Sequence, residues 1–208
     1  MSETKPSLDA AYALETPEDN RKLYADWAET YDASFAAEKD YLLPQIVAGR
    51  LSEIYDGPGP VLDVGAGTGL IAQFLYGQHT IDALDISPEM LAVAAKKGLY
   101  RDTIQGDLTA RLPIGDAVYG AVVSSGTFTH GHVGPDALDE LLRVARPGAQ
   151  FVLSINATHF EARGFTAKFA ALEPHITHLM HRLVDIYGPG ADEAHKQDQA
   201  QITTFLKR

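Results

Sequence analysis

The 208-residue sequence contains no cysteine. Disulfide bonds, thiol catalysis and cysteine-ligated metal sites are therefore excluded. No apolar run approaches the ~18 residues that suggest a membrane span. No stretch is rich in Lys and Arg, and the formal net charge is −11. Phosphate binding calls for an electropositive face, so nucleic acid is not the expected partner. The opening MSETKPSLDAAYALETPEDN is polar and acidic, without the basic and apolar regions of a secretory leader. A cytoplasmic location is therefore expected. There is no internal repeat and no low-complexity linker. A length of 208 residues suits one well-cored domain and does not call for a second.

What the chain does have is alternation. Residues 1–17 show little periodicity. From Glu18, apolar residues recur at helical spacing through LYADWAETYDASF and again through YLLPQIVAGRLSEIY, where Pro44 suits a first helical turn. DGPGP, Asp56 to Pro60, ends this helical region. Strand and helix patterns then succeed one another: VLDV, LIAQFLYG, TIDALDIS, PEMLAVAAKKG, the strands DTIQGDL and AVYGAVVSS, the helix PDALDELLRVA closed by Arg146-Pro147-Gly148, and the strand AQFVLSIN. This order implies βαβ units and a mostly parallel sheet. The tail reads as a helix in AKFAALEPHITH and then strands in HRLVDIYG and AQITTFLKR, which look like a hairpin.

The stretch VLDVGAGTGL, Val61 to Leu70, holds three glycines within five residues at the end of a strand. Glycine lacks Cβ and reaches positive φ, so a ligand can approach the main chain there. Ligands of open α/β sheets sit at such carboxyl ends. A nicotinamide-dinucleotide fingerprint needs its third glycine at position 70, which is Leu; the glycine is Gly69. A phosphate loop needs Gly-Lys-Ser/Thr, and no lysine comes after the glycines.

Leu62-Asp63-Val64-Gly65-Ala66-Gly67-Thr68-Gly69 instead resembles motif I of the class I S-adenosylmethionine-dependent methyltransferases. The order of the downstream acids strengthens the likeness. Asp85 ends the second strand 20 residues after Gly65, where a carboxylate can accept bonds from both ribose hydroxyls. Asp107 ends the third strand, where the family holds the adenine amino group. LLRVARPGAQFVLSI resembles the family's L-x-P-G-G element, with Ala149 in place of the second Gly. Tyr24 to Asp32, YADWAETYD, is similar to the Y-D-x-x-A-x-x-Y-D segment that many small-molecule methyltransferases place over the cofactor as a lid, with Trp27 and Tyr31 on one helix face. Asp63 either reaches the cofactor's amino end or anchors the loop through backbone amides. Met90 either packs on the adenine or belongs to the core. Ile86, Leu108 and Ser124 complete the expected cofactor-binding set with Gly65, Gly67 and Gly69.

The resemblance implies an α/β, Rossmann-like methyltransferase fold: a mostly parallel seven-stranded sheet, an antiparallel last strand and a helical N-terminal lid. It divides a single domain, 1–208, into a lid over 1–56, a cofactor-binding core over 57–160, and a hairpin with substrate-side elements over 161–208. S-adenosylmethionine is the implied donor and S-adenosylhomocysteine the product. After the fourth strand, SSGTFTHGHV offers His130 and His132, whose ordinary pKa of about 6.5 suits proton removal from an acceptor. His159, Phe160, His195 and the loop Tyr187–Asp198 are further candidates for the acceptor wall. The family's N-P-P-Y element for base and amide methylation is absent. GTFTHGHVGPDALDELLRVARPG, with the tail YGPGADEAHKQD, resembles the Williams–Beuren-region methyltransferase-like proteins. A small-molecule acceptor is the first expectation. A cofactor-binding module without turnover, and a transferase acting on protein or RNA, are the alternatives. Oligomeric state is left open.

Overall fold

The computed structural model describes residues 17–28, 30–31, 40–129, 133–191 and 193–208. His130, His132 and Asp32 lie outside the described residues. Helix α1 (Pro17–Trp27) and helix α2 (Leu43–Ile54) precede the sheet, and Pro44 occupies the first turn of α2. The sheet begins with β1 (Val61–Val64), then α3 (Leu70–Leu75), β2 (Ile81–Asp85), α4 (Pro88–Lys96), β3 (Asp102–Gln105) and β4 (Tyr119–Phe128). It continues through α5 (Ala137–Val144), β5 (Ala145–Asn156), α6 (Ala157–Ala162), α7 (Phe165–Ala171), β6 (Ile176–Asp185) and β7 (Gln199–Lys207).

The seven strands lie in the order β3-β2-β1-β4-β5-β7-β6. Every pair from β3 to β5 is parallel, and β7 runs antiparallel to both β5 and β6. All four residues of β1 are buried because neighbours flank it on both sides and helices cover both faces. Alternation then sorts the side chains. Leu62 and Val64 join the core under α5 and α7, whereas Val61 joins the core under α2 and α3 with Val47, Leu51, Ile71 and Leu75. The Leu43, Val47, Leu51 stripe on α2 has the i, i+4, i+8 spacing of a buried helix face.

Three local outcomes differ from the sequence pattern. The helix expected through His178 ends at Ala171, and β6 starts at Ile176. Pro174 disfavours a helical conformation for the residue before it, and a tight turn comes next in which the amides of His175 and Ile176 donate to the Leu172 carbonyl. Helix α6, which the pattern does not announce, is started by the Asn156 side chain, which accepts from the His159 amide. Arg146-Pro147-Gly148 is an irregular opening of β5, which pairs Tyr119 with Ala145 and then Ala121 with Gln150. Gly148, at φ 79°, absorbs the shift.

One buried polar knot sets the far end of the sheet. Asp82, 2% exposed, accepts from the Tyr119 hydroxyl at 2.9 Å and from both Nε and Nη2 of Arg101. Asp82→Ala is expected to cost about 2–3 kcal/mol, because it strands a buried hydroxyl as well as removing the ion pair. Tyr119→Phe is expected to cost about 1 kcal/mol, since Asp82 keeps Arg101. Urea denaturation of the two variants checks the order.

Candidate active site

The strand order brings the ends of β3, β2 and β1 side by side, so Asp107, Asp85 and the glycine loop line one continuous cleft. Gly65 sits at φ 64°, and a Cβ there would overlap the Thr127 hydroxyl at the end of β4. Only glycine permits that close approach of the loop to β4. Gly67, at φ 53°, has nothing within 4 Å of where its Cβ would lie and lines the cleft. Its amide donates to Asp85 Oδ2 at 2.8 Å, and the Ser87 amide donates to Oδ1 at 2.9 Å. Burial raises the Asp85 carboxyl above its ordinary value, opposed by the bonds from Ser87, Gly67 and Ile86. With about four lone-pair sites, the carboxylate keeps acceptor capacity for a ligand hydroxyl. Ser87 itself caps α4: its hydroxyl accepts from the Met90 amide at 3.2 Å, and Pro88 occupies the first turn.

Asp107 lines the cleft at the end of β3, with Oδ1 accepting the amide and hydroxyl of Thr109 at 2.8 and 2.7 Å. Asp63 is more unusual. It is 1% exposed, its Oδ2 accepts from the Tyr100 hydroxyl at 2.7 Å, and its Oδ1 has no partner among the described residues. Burial, joined by the charge of Asp85, pushes this carboxyl up to about 7 against the bond from Tyr100. The Tyr100 phenol is raised in turn by burial and by the charge of Asp63. Tyr100 packs under the loop, where a Cβ on Gly69 would come within 2.9 Å of its ring.

S-adenosylmethionine carries an ammonium group, a ribose diol and an adenine amine, and each has a matching acid here. The orphan Oδ1 of Asp63 suits the ammonium, Asp85 the diol and Asp107 the amine. Ile86, Met90 and Leu108 line the same cleft and offer an apolar surface to a flat base. The residues present fit the group.

Other expected residues stand behind the lining. Ser124 is fully buried, and its hydroxyl donates to the Val64 carbonyl at 2.7 Å, tying β4 to β1. Its neighbour Ser125 lines the cleft. Trp27 is 4% exposed and packs its ring 5.2 Å from Tyr31 and 6.1 Å from Tyr24, and those two tyrosines face the cleft. Gly69 turns the chain into α3. A ring nitrogen of His159 lies 3.0 Å from the carbonyl of Val133, a lining residue. Phe160 stacks on Phe165 and Phe169, and His195 pairs with Asp198 at 3.0 Å. Tyr41, Ser125 and Thr127 line the cleft without a sequence signal to mark them.

Residues 62–153 match a family model described as a methyltransferase domain. A demethylmenaquinone methyltransferase of Renibacterium salmoninarum is 40% identical over 96 residues, which is 45% of this chain and 40% of that protein. A malonyl-[acyl-carrier protein] O-methyltransferase of Erwinia pyrifoliae is 38% identical over 95 residues, 45% of this chain and 36% of that protein. A shorter match, 37% over 70 residues, is to an 18S rRNA (guanine-N(7))-methyltransferase of Bos taurus, 33% of this chain and 25% of that protein. The chain thus spans less than half the length of these curated relatives. Among solved structures, a SAM-dependent methyltransferase from Aquifex aeolicus shares the fold at a TM-score of 0.59 and 18% identity, covering 88% of this chain and 98% of that one. Among the described residues, no helix is long and apolar enough to cross a membrane. Residues 62–153 thus match a methyltransferase domain, and the acids and the glycine loop stand at the strand ends of that match, where S-adenosylmethionine fits.

Proposed function

We propose that this chain transfers the methyl group of S-adenosylmethionine directly to a small-molecule acceptor. The observation that carries this reading is the aromatic lining of the cleft: Tyr24 and Tyr31 from the N-terminal helical region and Tyr41 ahead of α2 line it together with the acids. An aromatic lining of this kind narrows a site and excludes water from it. When bound, the cofactor supplies an electrophilic methyl group on a sulfonium. The protein's part is to hold Asp63, Asp85 and Asp107 against its polar ends and to fix an acceptor in line beside β4. His130 or His132 would take the acceptor's proton where one must leave.

The formal charge of −11 supports an acceptor other than nucleic acid. The finer likeness to the Williams–Beuren-region proteins names no acceptor. The names of the relatives point to unlike acceptors, a demethylmenaquinone, a malonyl group on a carrier protein and an rRNA guanine. A carrier-bound or macromolecular acceptor is therefore the second reading.

Methyl-labelled S-adenosylmethionine, the purified protein and a cell extract split into small molecules, protein and RNA separate the readings. Label is expected in the small-molecule fraction. Label in protein or RNA would overturn the small-acceptor reading. Tight donor binding with no label in any fraction would point to a cofactor-binding module. A double His130→Ala, His132→Ala variant is expected to lose turnover steeply below the pH at which the acceptor ionises unaided. Unchanged turnover at every pH would leave a mechanism resting on orientation alone.

A further inference from the structure

The cofactor's three acids occupy the ends of β3, β2 and β1, so what remains of the cleft lies over the end of β4. Tyr41 stands there. Its hydroxyl is hydrogen-bonded to the Ser125 side chain, and it rests against the backbone of Gly126 so closely that a Cβ on that glycine would lie 2.6 Å from the oxygen. Gly126 adopts φ 76° in this contact. Burial holds the Tyr41 phenol well above its ordinary value, so it stays protonated and serves as a neutral group.

The backbone that carries Tyr41 is fastened from outside the nucleotide-binding half. Tyr41 forms an antiparallel bridge with Tyr187, just beyond β6. The Leu42 amide donates to the Ile186 carbonyl at 3.0 Å, and the Gly188 amide donates to the Asp40 carbonyl at 2.8 Å. The rings of Tyr41 and Tyr187 lie 5.9 Å apart. A Cβ on Gly188 would overlap the Asp40 carboxyl, so the clasp is closed tightly. Tyr41 and Tyr187 are 146 residues apart in sequence.

We infer that Tyr41 is a residue that touches and orients the methyl acceptor, and that Tyr187 is a positioning residue which acts on the acceptor through Tyr41. The inference rests on the methyl-transfer reading above. It makes the C-terminal hairpin part of acceptor selection: whatever shifts Tyr187 moves the hydroxyl that meets the acceptor, while the donor acids stay in place.

The test compares Tyr41→Phe, Tyr187→Leu and Tyr187→Phe with the wild type. Donor affinity is read by titration with S-adenosylmethionine. Transfer is read as the initial rate of label incorporation into the small-molecule extract fraction, over a dilution series of that fraction. Tyr41→Phe is expected to lower the transfer efficiency about tenfold, as loss of a positioned hydrogen bond does, with donor Kd within about twofold. Tyr187→Leu is expected to lower it about threefold with the same unchanged donor Kd, and Tyr187→Phe, which keeps the ring, to restore it. Wild-type transfer by Tyr41→Phe would overturn the inference and leave the methyl-transfer reading intact. Donor affinity falling in step with transfer would also overturn it, placing Tyr41 in the donor site. A wild-type protein that binds donor but labels nothing would overturn the methyl-transfer reading, and this inference with it.

Discussion

Asp85→Ala is expected to weaken S-adenosylmethionine binding by about 1.5–3 kcal/mol, the range for losing hydrogen bonds to a charged group. That corresponds to roughly a 10- to 150-fold rise in Kd, within easy reach of titration calorimetry. Two losses add. The ribose hydroxyls lose their acceptor, and the glycine loop loses its brace, because Asp85 Oδ2 holds the Gly67 amide at 2.8 Å and Oδ1 holds the Ser87 amide at 2.9 Å. Asp85→Asn separates the two effects poorly but informatively. Its one oxygen can serve only one of the two amides, and its NH2 group is turned against the other donor. The asparagine variant is therefore expected to bind nearly as weakly as the alanine one. Wild-type affinity in Asp85→Ala would remove this carboxylate from the cofactor site.

The nucleotide half of the site is legible in the sequence because it is local. A glycine loop, the acid 20 residues after Gly65 and the acid ending the next strand all fall into place from the strand–helix order once the sheet is parallel. In a parallel sheet the ends of VLDV and of the strand ending at Asp85 fall on the same side. The part of the cleft proposed for the acceptor is not legible, since it is made by contacts distant in sequence. Tyr41 meets Ser125 and Tyr187, and no spacing rule links these positions. Ser124 and Ser125 show the limit at single-residue scale: alternation along β4 puts one hydroxyl on the Val64 carbonyl and its neighbour in the cleft. Trp27, the last residue of α1, shows it too: the largest ring is buried, and Tyr24 and Tyr31, the latter beyond the helix, line the cleft. The early end of the helix before β6 has a different cause. AKFAALEPHITH carries a helical pattern throughout, and the turn at Pro174 outweighs it.

Donor binding is expected to tighten as pH rises toward neutrality, and Asp63 is the reason. In the free protein its carboxyl is pushed up to about 7, chiefly by burial. Below that pH it is protonated and cannot hold an ammonium group as a carboxylate would. Binding a cation at its orphan Oδ1 lowers its pKa, so binding releases a proton below about pH 7 and none above. The apparent Kd is then expected to fall about twentyfold between pH 5.5 and 7.5 and to level off beyond. The same carboxyl acts on stability with the opposite sign. Its folded value lies above the unfolded one of about 3.9, so the stability it contributes is full below pH 4 and is lost as pH rises through 7. Asp63→Asn removes both dependences: the donor's own titration is common to the two proteins and cancels in the comparison. The variant is expected to bind weakly with a flatter pH profile and, without ligand, to gain thermal stability relative to wild type as pH rises from 5 to 8. Parallel pH profiles for wild type and variant would mean that Asp63 serves as a loop anchor and never meets the donor's charge.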